Sequence, residues 1–493
     1  MRKALLNLHC SQTSGIGLSL FRILFALVVF AEVCQIIYLE GLIFKNLPPF
    51  QVSETDPTFF HVAWLGVLLA LAAGFHVKIA AICNYLLTLA SLGTFTSFEY
   101  HLDYAIIGLS FLILFIPSYD PLSLDRFLYR KKRAKTPNSS FPLGYNLLLL
   151  FLGAGIVYFD SVFHKIASPM WMAGLGMWQP ASLPFAAGLD LTPLLNQKWL
   201  MLSLGYLTLI FETVFLFLLP FRKTHAALVT IGFGLHVGIV LAFPIPCFGL
   251  GVAALYFLLI PDHWYLGLLK KTEFAERYCD IKSEVITPEH TRFPVNLKLG
   301  LIFVGVTLLL QFFCLFESPT GRKFIAEKFP EKAQQIHNFS TSVIGYSTPL
   351  LGIHPHGVFM DWHFSGYNHI VSVTHRSPDG VKTRLPLIDE RGMPTGLNVG
   401  RFWVYYTFRV NAPNLNSQAL AARLRDITIF WARKNSINLL DDTFEIMVKK
   451  VDSPSGWEKD FLRQQSKRPW QKAGELVWRN RQVSVTMKDI ESL

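Results

Sequence analysis

Nine apolar stretches separated by polar loops dominate the first two-thirds of the chain. A helix needs roughly 20 mostly apolar residues to cross a bilayer, because its backbone polar groups find no water inside the lipid. We place the segments near residues 16–38, 58–75, 78–97, 102–118, 144–163, 199–220, 225–244, 247–262 and 298–316. The fourth and eighth segments are short. The pattern predicts an α-helical polytopic membrane domain of about nine spans over residues 1–317.

The composition favours a membrane protein over a soluble one. Apolar residues make up 52% of the chain and charged residues only 16%, whereas soluble domains carry about 25% charged residues. The net charge of +11 could indicate nucleic-acid binding, but the basic residues gather at segment ends without a recognition motif. We therefore expect the lipid bilayer as a partner and no nucleic acid. The first segment lacks a signal-peptide cleavage site, which predicts an uncleaved span.

Loop charge predicts the orientation, since Lys and Arg are enriched in cytoplasmic loops. Basic residues cluster at 126–135, after the fourth segment, and at 270–298, after the eighth. Arg222 and Lys223 lie between the sixth and the seventh. These loops share one side only if all nine segments cross. The N-terminus is then cytoplasmic and residues 318–493 lie outside, in a bacterial inner membrane or the endoplasmic reticulum.

The tail after the last segment has the pattern of a small α+β extracytoplasmic domain. Residues 367–373 and 381–388 flank a turn signal at 377–380, which predicts a hairpin. Ser417 is expected to cap a helix. One face of that helix holds Leu420, Leu424, Ile427 and Trp431. Two further strands are predicted by the alternating sets Phe444, Ile446, Val448 and Val483, Val485, Met487.

Ionisable side chains inside apolar segments are costly and are, by default, functional-site candidates that face the bundle interior. They are Arg22, Glu32, His101, Asp103, Asp160, His164, Lys165, Glu212 and His236. Arg22 is expected to pair with Glu32, Asp160 or an interior carbonyl. Glu212 is a pairing partner or lines a cavity. His236 lies among glycines, which allow close helix packing.

Lys165 ends the fifth segment and is followed by Trp171. In one interpretation it is a snorkelling anchor, with Trp171 in the aromatic belt at the membrane interface. In the other it is a desolvated amine, since burial disfavours the charged form and a neutral amine can act as a base. His101 lies at the same outer boundary. It is either a hydrogen-bonded interface residue or a group that orients an anion opposite Lys165.

Three histidines of the tail, His354, His356 and His363, resemble a set of metal ligands. Pro355 and Gly357 make this stretch a loop, and no cysteine or carboxylate completes a convincing set. The chain has six cysteines and no CxxC motif. We therefore predict no metal site.

Several stretches resemble the vitamin K-dependent γ-carboxylase family, also called HTTM membrane proteins. The similar stretches are LSLFRILF (18–25), YHLDY (100–104), DPLSLDR (120–126), YFDSVFHKI (158–166) with the following Trp171, and 366–380. His236 falls where the family has a histidine in a late span. The resemblance covers most of the chain. The chain departs from the family in Glu99-Tyr100 before His101, and in a tail without cysteine, although Cys247 and Cys314 could still pair.

The resemblance implies quinol-dependent carboxylation of glutamate in a peptide or protein. A buried amine deprotonates reduced vitamin K or a menaquinol-type quinol, the quinol anion reacts with dioxygen, and the resulting base removes a γ-proton from glutamate. Carbon dioxide then traps the carbanion. Lys165 would be the base and His101 the helper near the carbanion, while the tail would bind the glutamate-containing peptide. The supporting or pocket residues would be Arg22, Asp160, His164, Trp171, Glu212 and His236.

Two other functions remain open on the sequence. A membrane maturation or binding factor of the same fold would lack carboxylation, because a fold does not fix a chemistry. A transporter is less consistent with the pattern, since no inverted repeat with paired broken helices is evident.

Overall fold

The computed structural model describes residues 11–48, 56–93, 97–132, 141–269, 295–364, 366, 369–412 and 416–493. Some of the predicted features lie outside these residues. They are the basic residues at 133–135, nearly all of the basic loop at 270–298, Cys10, Cys279, and the first two residues of the predicted strand, Tyr367 and Asn368.

Each of the nine apolar segments is helical. The helical part consists of α1 (Ile16–Ile43), α2 (Thr58–Ala73), α3 (Val77–Leu92), α4 (His101–Ile113), α5 (Leu124–Lys132), α6 (Leu143–Leu150), α7 (Ile156–Lys165), α8 (Pro169–Met172), α9 (Trp178–Ala181), α10 (Thr192–Leu195), α11 (Lys198–Leu218), α12 (His225–Ala242), α13 (Pro246–Leu255), α14 (Asp262–Leu269) and α15 (Val295–Glu317). Two short strands, β1 (Gln12–Thr13) and β2 (Phe141–Pro142), pair antiparallel beside α1 and α6.

Five of the described helices are long and apolar enough to cross a membrane. They are Ile16–Ile43, Leu143–Lys165, Lys198–Leu218, Arg222–Ala242 and Lys298–Glu317. Four shorter apolar helices match the remaining predicted segments, namely Thr58–Ala73, Val77–Leu92, His101–Ile113 and Pro246–Leu258. The chain is thus an integral membrane protein. The apolar segments are confirmed as helices, but only five of them reach the length of a span.

The helix Leu143–Lys165 is interrupted by a π-helical turn. α6 leads into the turn at Phe151–Gly155, and α7 follows it without a break. A π turn accommodates one more residue than an α turn, so it resets which side chains face inward after it. In α7, residues four apart share a face. Asp160 and His164 therefore lie on one stripe of the helix, and Ser161 and Lys165 on the next.

The tail begins with a helical hairpin and continues into an antiparallel sheet. The hairpin is α16 (Pro319–Lys328) and α17 (Ala333–Leu351), which pack on α7 and α4 respectively. The sheet has the order β4-β3-β5-β6-β7. The remaining elements are β3 (His369–Arg376), β4 (Lys382–Arg384), α18 (Gly400–Tyr405), α19 (Ser417–Lys434), β5 (Thr443–Lys450), α20 (Phe461–Ser466), β6 (Trp470–Arg479) and β7 (Gln482–Met487).

The tail has the predicted α+β character, with three differences. The return strand of the hairpin is short and ends at Arg384, because Pro386 has no N–H group to continue the ladder. The helix cap is Asn416 rather than Ser417, since the Asn416 Oδ1 accepts a 2.8 Å hydrogen bond from the Ala419 N–H. Strand β6 was not predicted. The apolar face of α19 is buried as expected, at Leu420, Leu424, Ile427 and Trp431.

Tail and membrane helices share one hydrophobic core. Phe21 and Val33 of α1 belong to the same buried cluster as Phe402 and Leu424 of the tail. Trp403 is buried as well, and its indole N–H donates to the Phe185 carbonyl at 2.9 Å. The domain boundary predicted near residue 317 therefore separates two parts of the sequence, but the hydrophobic core includes side chains from both parts.

Candidate functional site

A small cavity lies between α4, α7, the helices α11 to α13 and the loop that follows α17. Most of its lining is apolar or aromatic. The ionisable side chains in its wall are His101, Lys165, Glu212, His236 and His356. Its volume is about 80 Å³, enough for two or three waters at roughly 30 Å³ each. Five ionisable groups around so small a space make this the strongest candidate site among the described residues.

Lys165 lies inside the bundle, and its amine faces Glu212 of α11. It is 5% exposed, and its Nζ is paired with both carboxylate oxygens of Glu212. The Nζ also lies 4.5 Å from the centroid of the Trp171 ring. The snorkelling interpretation of this lysine is therefore wrong. A buried ammonium and carboxylate form a pair without net charge, and Lys165 becomes a neutral amine when its proton passes to Glu212 or leaves the pair.

His101 is the first residue of α4 and faces the same cavity. Its Nδ1 is buried and has no hydrogen-bond partner among the described residues. The centroid of its ring lies 6.0 Å from that of His356. At the start of α4 the Asp103 Oδ2 accepts a 3.0 Å hydrogen bond from the Tyr100 N–H, which helps to fix the position of His101 at the wall of the cavity.

A chain of three hydrogen-bonding side chains borders the cavity on its inner side. The Tyr158 hydroxyl lies 2.6 Å from the His236 Nε2 and 2.7 Å from the Tyr256 hydroxyl. Gly232 of α12 lies against the Tyr256 ring, so a side chain at this position would collide with the ring. Gly232 therefore permits the close approach of α12 and the Tyr256 side chain, whereas a Cβ added at Gly234 or Gly238 would meet no neighbour within 4 Å.

Asp160 and two histidines form a second polar group behind the cavity wall. The Asp160 carboxylate is fully buried and accepts a 2.6 Å hydrogen bond from the backbone N–H of His356. Its Oδ2 also lies 3.7 Å from the His356 Nδ1 and 3.8 Å from the His164 Nε2. Both imidazole nitrogens lack a hydrogen-bond partner within the described part of the chain. His356 thus faces the cavity and this second group together.

The loop after α17 covers the cavity and is pinned to α8. Asp361 accepts hydrogen bonds from the Ser168 hydroxyl and, at 3.0 Å, from the Met170 N–H. The Trp171 indole N–H donates to the Phe359 carbonyl at 2.8 Å. Phe359 has a φ of 56°, a left-handed conformation that is unfavourable for a bulky residue. Its ring stacks on Phe243 with the centroids 4.6 Å apart.

Seven of the eight predicted site residues lie in or behind the wall of the cavity. Five of them line it, namely Lys165, His101, Trp171, Glu212 and His236. Asp160 and His164 lie directly behind it.

Arg22 is the exception and lies away from the cavity. Its Nε is 2.9 Å from the Asp120 Oδ2, and its guanidinium donates to the carbonyls of Leu71 and Ala72. Of the partners expected for Arg22, the interior carbonyl is confirmed, whereas its carboxylate partner is Asp120 rather than Glu32 or Asp160. Arg22 supports the packing of α1 on the end of α2 and does not line the cavity.

Sequence reasoning missed three residues around the site. Tyr158 and Tyr256 gave no signal, because a tyrosine in a span is normally an interface or packing residue. His356 was considered only as a metal ligand. His356 follows the last span in a loop rich in histidine, and this position was the signal that could have indicated a loop covering the cavity.

The histidine-rich loop does not form a metal centre within the described residues, where no set of three His, Cys, Asp or Glu is arranged to hold an ion. His354 instead stacks on Tyr104, with centroids 3.9 Å apart. Burial lowers the pKa of His354 to about 3, so its ring is uncharged near neutral pH. Cys247 and Cys314 are both free, and the pairing considered for them does not form.

The fold and the cavity define an integral membrane protein with a buried lysine site under an α+β tail. A sequence model of the HTTM domain matches residues 11–264, which is more than half of the chain. The chain therefore belongs to the HTTM domain family, the domain found in vitamin K-dependent γ-carboxylases. No curated protein and no solved structure matches it. His356 and the rest of the tail lie beyond the matched residues.

Proposed function

We propose that this protein carboxylates glutamate residues of a peptide or protein in a reaction driven by oxidation of a membrane quinol. The observation that carries the proposal is the common cavity of Lys165 and His101. Lys165 would take the proton of the quinol, and His101 would stabilise the negative charge that develops at the glutamate γ-carbon. The quinol, of the reduced vitamin K or menaquinol type, supplies the reducing power, and dioxygen and carbon dioxide are co-substrates.

Exclusion of water supports this assignment. The strong bases required for removal of a γ-proton are quenched by water, so the chemistry needs a dry site. Lys165 and Glu212 are each 5% exposed, and the other walls of the cavity are largely apolar. An apolar site within a bundle of membrane helices also gives a lipid-soluble quinol a direct path of entry.

The volume of the cavity sets a condition on quinol binding. Pockets for organic ligands usually measure about 300–1,000 Å³, whereas this cavity measures about 80 Å³. Carbon dioxide and dioxygen fit as the cavity stands, but a two-ring quinol requires side chains to move. Phe359 is the best candidate, because its strained backbone can relax when the cover moves away from α8.

We propose the nine-span topology together with this function. All nine apolar segments would cross the membrane, the N-terminus would be cytoplasmic, and the tail would lie outside, in a bacterial inner membrane or the endoplasmic reticulum. Arg222 and Lys223, both exposed between α11 and α12, support this orientation as residues of a cytoplasmic loop. The peptide substrate would then meet the cavity from the side that the tail covers.

The test uses the purified full-length protein in lipid nanodiscs with reduced vitamin K or menaquinol, labelled bicarbonate and a glutamate peptide. Formation of the quinol epoxide and incorporation of label are measured together. The wild type should give both products, and Lys165→Ala should give neither. Small primary amines should restore part of the activity, because they replace the missing base. Lys198→Ala is the matched control, since Lys198 also faces an indole ring, Trp457, at 5.7 Å but lies outside the cavity.

Two outcomes would overturn the proposal. A wild-type protein that forms neither product points to the alternative, a membrane maturation or binding factor without carboxylation. A Lys165→Ala variant that is folded and fully active removes the proposed base.

A further inference from the structure

The polar group behind the cavity wall, formed by Asp160, His164 and His356, has a composition that suits proton transfer. Asp160 is a fully buried carboxylate, and no Lys or Arg nitrogen among the described residues lies within 4.0 Å of it. The basic atoms closest to it are the His356 Nδ1 and the His164 Nε2, at 3.7 and 3.8 Å. The His356 Nδ1 and the His164 Nε2 have no hydrogen-bond partner among the described residues, so both imidazoles present a free nitrogen to the one carboxylate. A small rotation or one water closes each gap to hydrogen-bond length.

The proposed reaction releases a proton into the cavity. Quinol and dioxygen give the epoxide and water, with one oxygen atom in each product; the quinol is oxidised and dioxygen is reduced. Glutamate loses its γ-hydrogen as a proton and forms a carbon–carbon bond with carbon dioxide, so one C–H bond is replaced by one C–C bond. The sum leaves one additional proton for each carboxylation. Lys165, which has taken a proton from the quinol, cannot act again until a proton has left the cavity.

Glu212 cannot remove this proton from the site. It is buried beside Lys165, so a transfer between the two side chains keeps the proton in the same cavity. His356 differs from Glu212, because it faces the cavity on one side and Asp160 on the other. The cavity is large enough for two or three waters. After the γ-proton has been removed, the water formed with the epoxide can connect the Lys165–Glu212 pair to the His356 ring.

We infer that His356, held by Asp160, carries the surplus proton out of the cavity and passes it to His164 at the outer end of α7. The inference rests on the proposed carboxylation. His356 is the proton carrier in contact with the cavity, Asp160 is a positioning residue, and His164 is the next carrier. His164 lies against Gly357, where an added Cβ would stand 2.9 Å from its Nδ1. The small residue thus leaves room for the His164 ring beside the His356 loop.

The other histidines near this route do not take part. His354 stacks on Tyr104 and is absent from the cavity wall. His101 lines the cavity, but its ring neighbours are Tyr104 at 5.9 Å and His354 and His356 at 6.0 Å between centroids. It makes no ion pair with Asp160 within the described residues. His354→Phe therefore serves as a matched control. Position 354 lies on the same loop as His356, and a phenylalanine there keeps the stack on Tyr104.

The experiment follows carboxylated peptide against time in rapid-mixing assays of the full chain in lipid nanodiscs. The wild type should form product at a constant rate. His356→Gln should complete its first turnover at a rate within about twofold of the wild type and then slow by at least about tenfold, since loss of a proton carrier typically costs 10²–10⁴-fold in the step it serves. His164→Gln should show the same burst. Added imidazole should restore the later turnovers of His356→Ala, and His354→Phe should behave as the wild type.

Each alternative outcome overturns the inference in a different way. Equal slowing of the first and later turnovers means that His356 only shapes the site. Unchanged rates in both His356→Gln and His164→Gln mean that the proton leaves by another route. If the wild type forms no epoxide and no carboxylated peptide, the proposed function itself falls, and the proton route falls with it. An active wild type with unaffected variants removes the route alone.

Discussion

Arg401 Nη2 lies 2.6 Å from Asp103 Oδ1, and this buried ion pair joins the tail to the start of α4. The same guanidinium reaches Glu32 of α1 at 3.2 Å and the Phe98 carbonyl at 2.9 Å. The Tyr100 hydroxyl donates to Glu32 at 2.5 Å. Arg401 thus connects two membrane helices that are far apart in the sequence, and it does so beside Phe98 and Tyr100, just before His101.

Loss of Arg401 should destabilise the whole chain. Arg401→Met leaves Glu32 and Asp103 buried without a cation, and breaking a buried pair in this way costs about 3–5 kcal/mol. We expect a lower melting temperature in detergent and a lower yield of monodisperse protein. The measurement is thermal unfolding by intrinsic fluorescence.

Arg391→Met is the control for this variant. Arg391 pairs with Asp389 at 3.0 Å, but its side chain is 55% exposed. An exposed pair contributes roughly 0–1 kcal/mol, so this variant should melt close to the wild type. Equal losses in the two variants would contradict the role given to Arg401.

The Lys165–Glu212 pair should show strong non-additivity in stability. Lys165→Met or Glu212→Leu alone leaves one buried charge and should cost up to about 3–5 kcal/mol, whereas the double variant replaces the pair with apolar groups and should cost much less. Thermal unfolding of the wild type, both single variants and the double variant measures the interaction. Additive losses would mean that the two side chains do not form a charged pair.

Stability of the tail should depend on Lys449 at alkaline pH. Lys449 is 1% exposed, and its amine donates to the carbonyls of Glu390 and Ser466 at 2.9 and 2.6 Å. Burial lowers the pKa of Lys449 from 10.5 to about 8. Between these values the unfolded chain binds more protons than the folded chain, so the contribution of Lys449 to stability rises with pH.

The comparison of wild type and Lys449→Met isolates this effect. The melting temperature of the wild type should rise relative to that of the variant as the pH increases from about 8 to 10.5. Below about pH 8 the difference between the two should be constant. A difference that does not change across the whole range would contradict the lowered pKa.

The nine-span topology predicts the side from which single cysteines can be labelled. Val381, at the turn between β3 and β4, is 62% exposed. If the tail lies outside, Val381→Cys should react with a membrane-impermeant maleimide in intact cells or in inverted microsomes. Lys223→Cys should react only after the membrane is permeabilised. The wild type, whose Cys34 is exposed, provides the background. Labelling of both variants from the same side would exclude an odd number of spans between them.

The sequence allowed prediction of the elements better than of their contacts. Among the described residues, apolar length and period located the five helices long enough to cross a membrane and the four shorter apolar helices, and the face of α19 was assigned residue by residue. The return strand after β3 was predicted too long, because alternation continues past Arg384 although Pro386 blocks the ladder. The cap of α19 was shifted by one residue, since Asn416 and Ser417 are both good caps.

The partners of the buried charges could not be predicted. Lys165 and Glu212 are 47 residues apart, and Arg401 and Asp103 are 298 apart. Nothing in local sequence relates such positions, and several acids were equally suitable partners for each base. Arg22 illustrates the result: its burial was foreseen, but its carboxylate partner, Asp120, lies in a loop that was considered only for its basic residues and its resemblance to the family.

The π-helical turn at Phe151–Gly155 determines which chemistry α7 offers to the interior. One residue corresponds to roughly 100° of rotation in an α-helix. Removal of a single residue from the turn would keep the helix and its apolar length, yet Lys165 would swing away from Glu212 and a neighbouring side chain would take its place. Within this architecture, a one-residue deletion can thus convert the proposed active centre into plain helix packing, without any change in the number of spans.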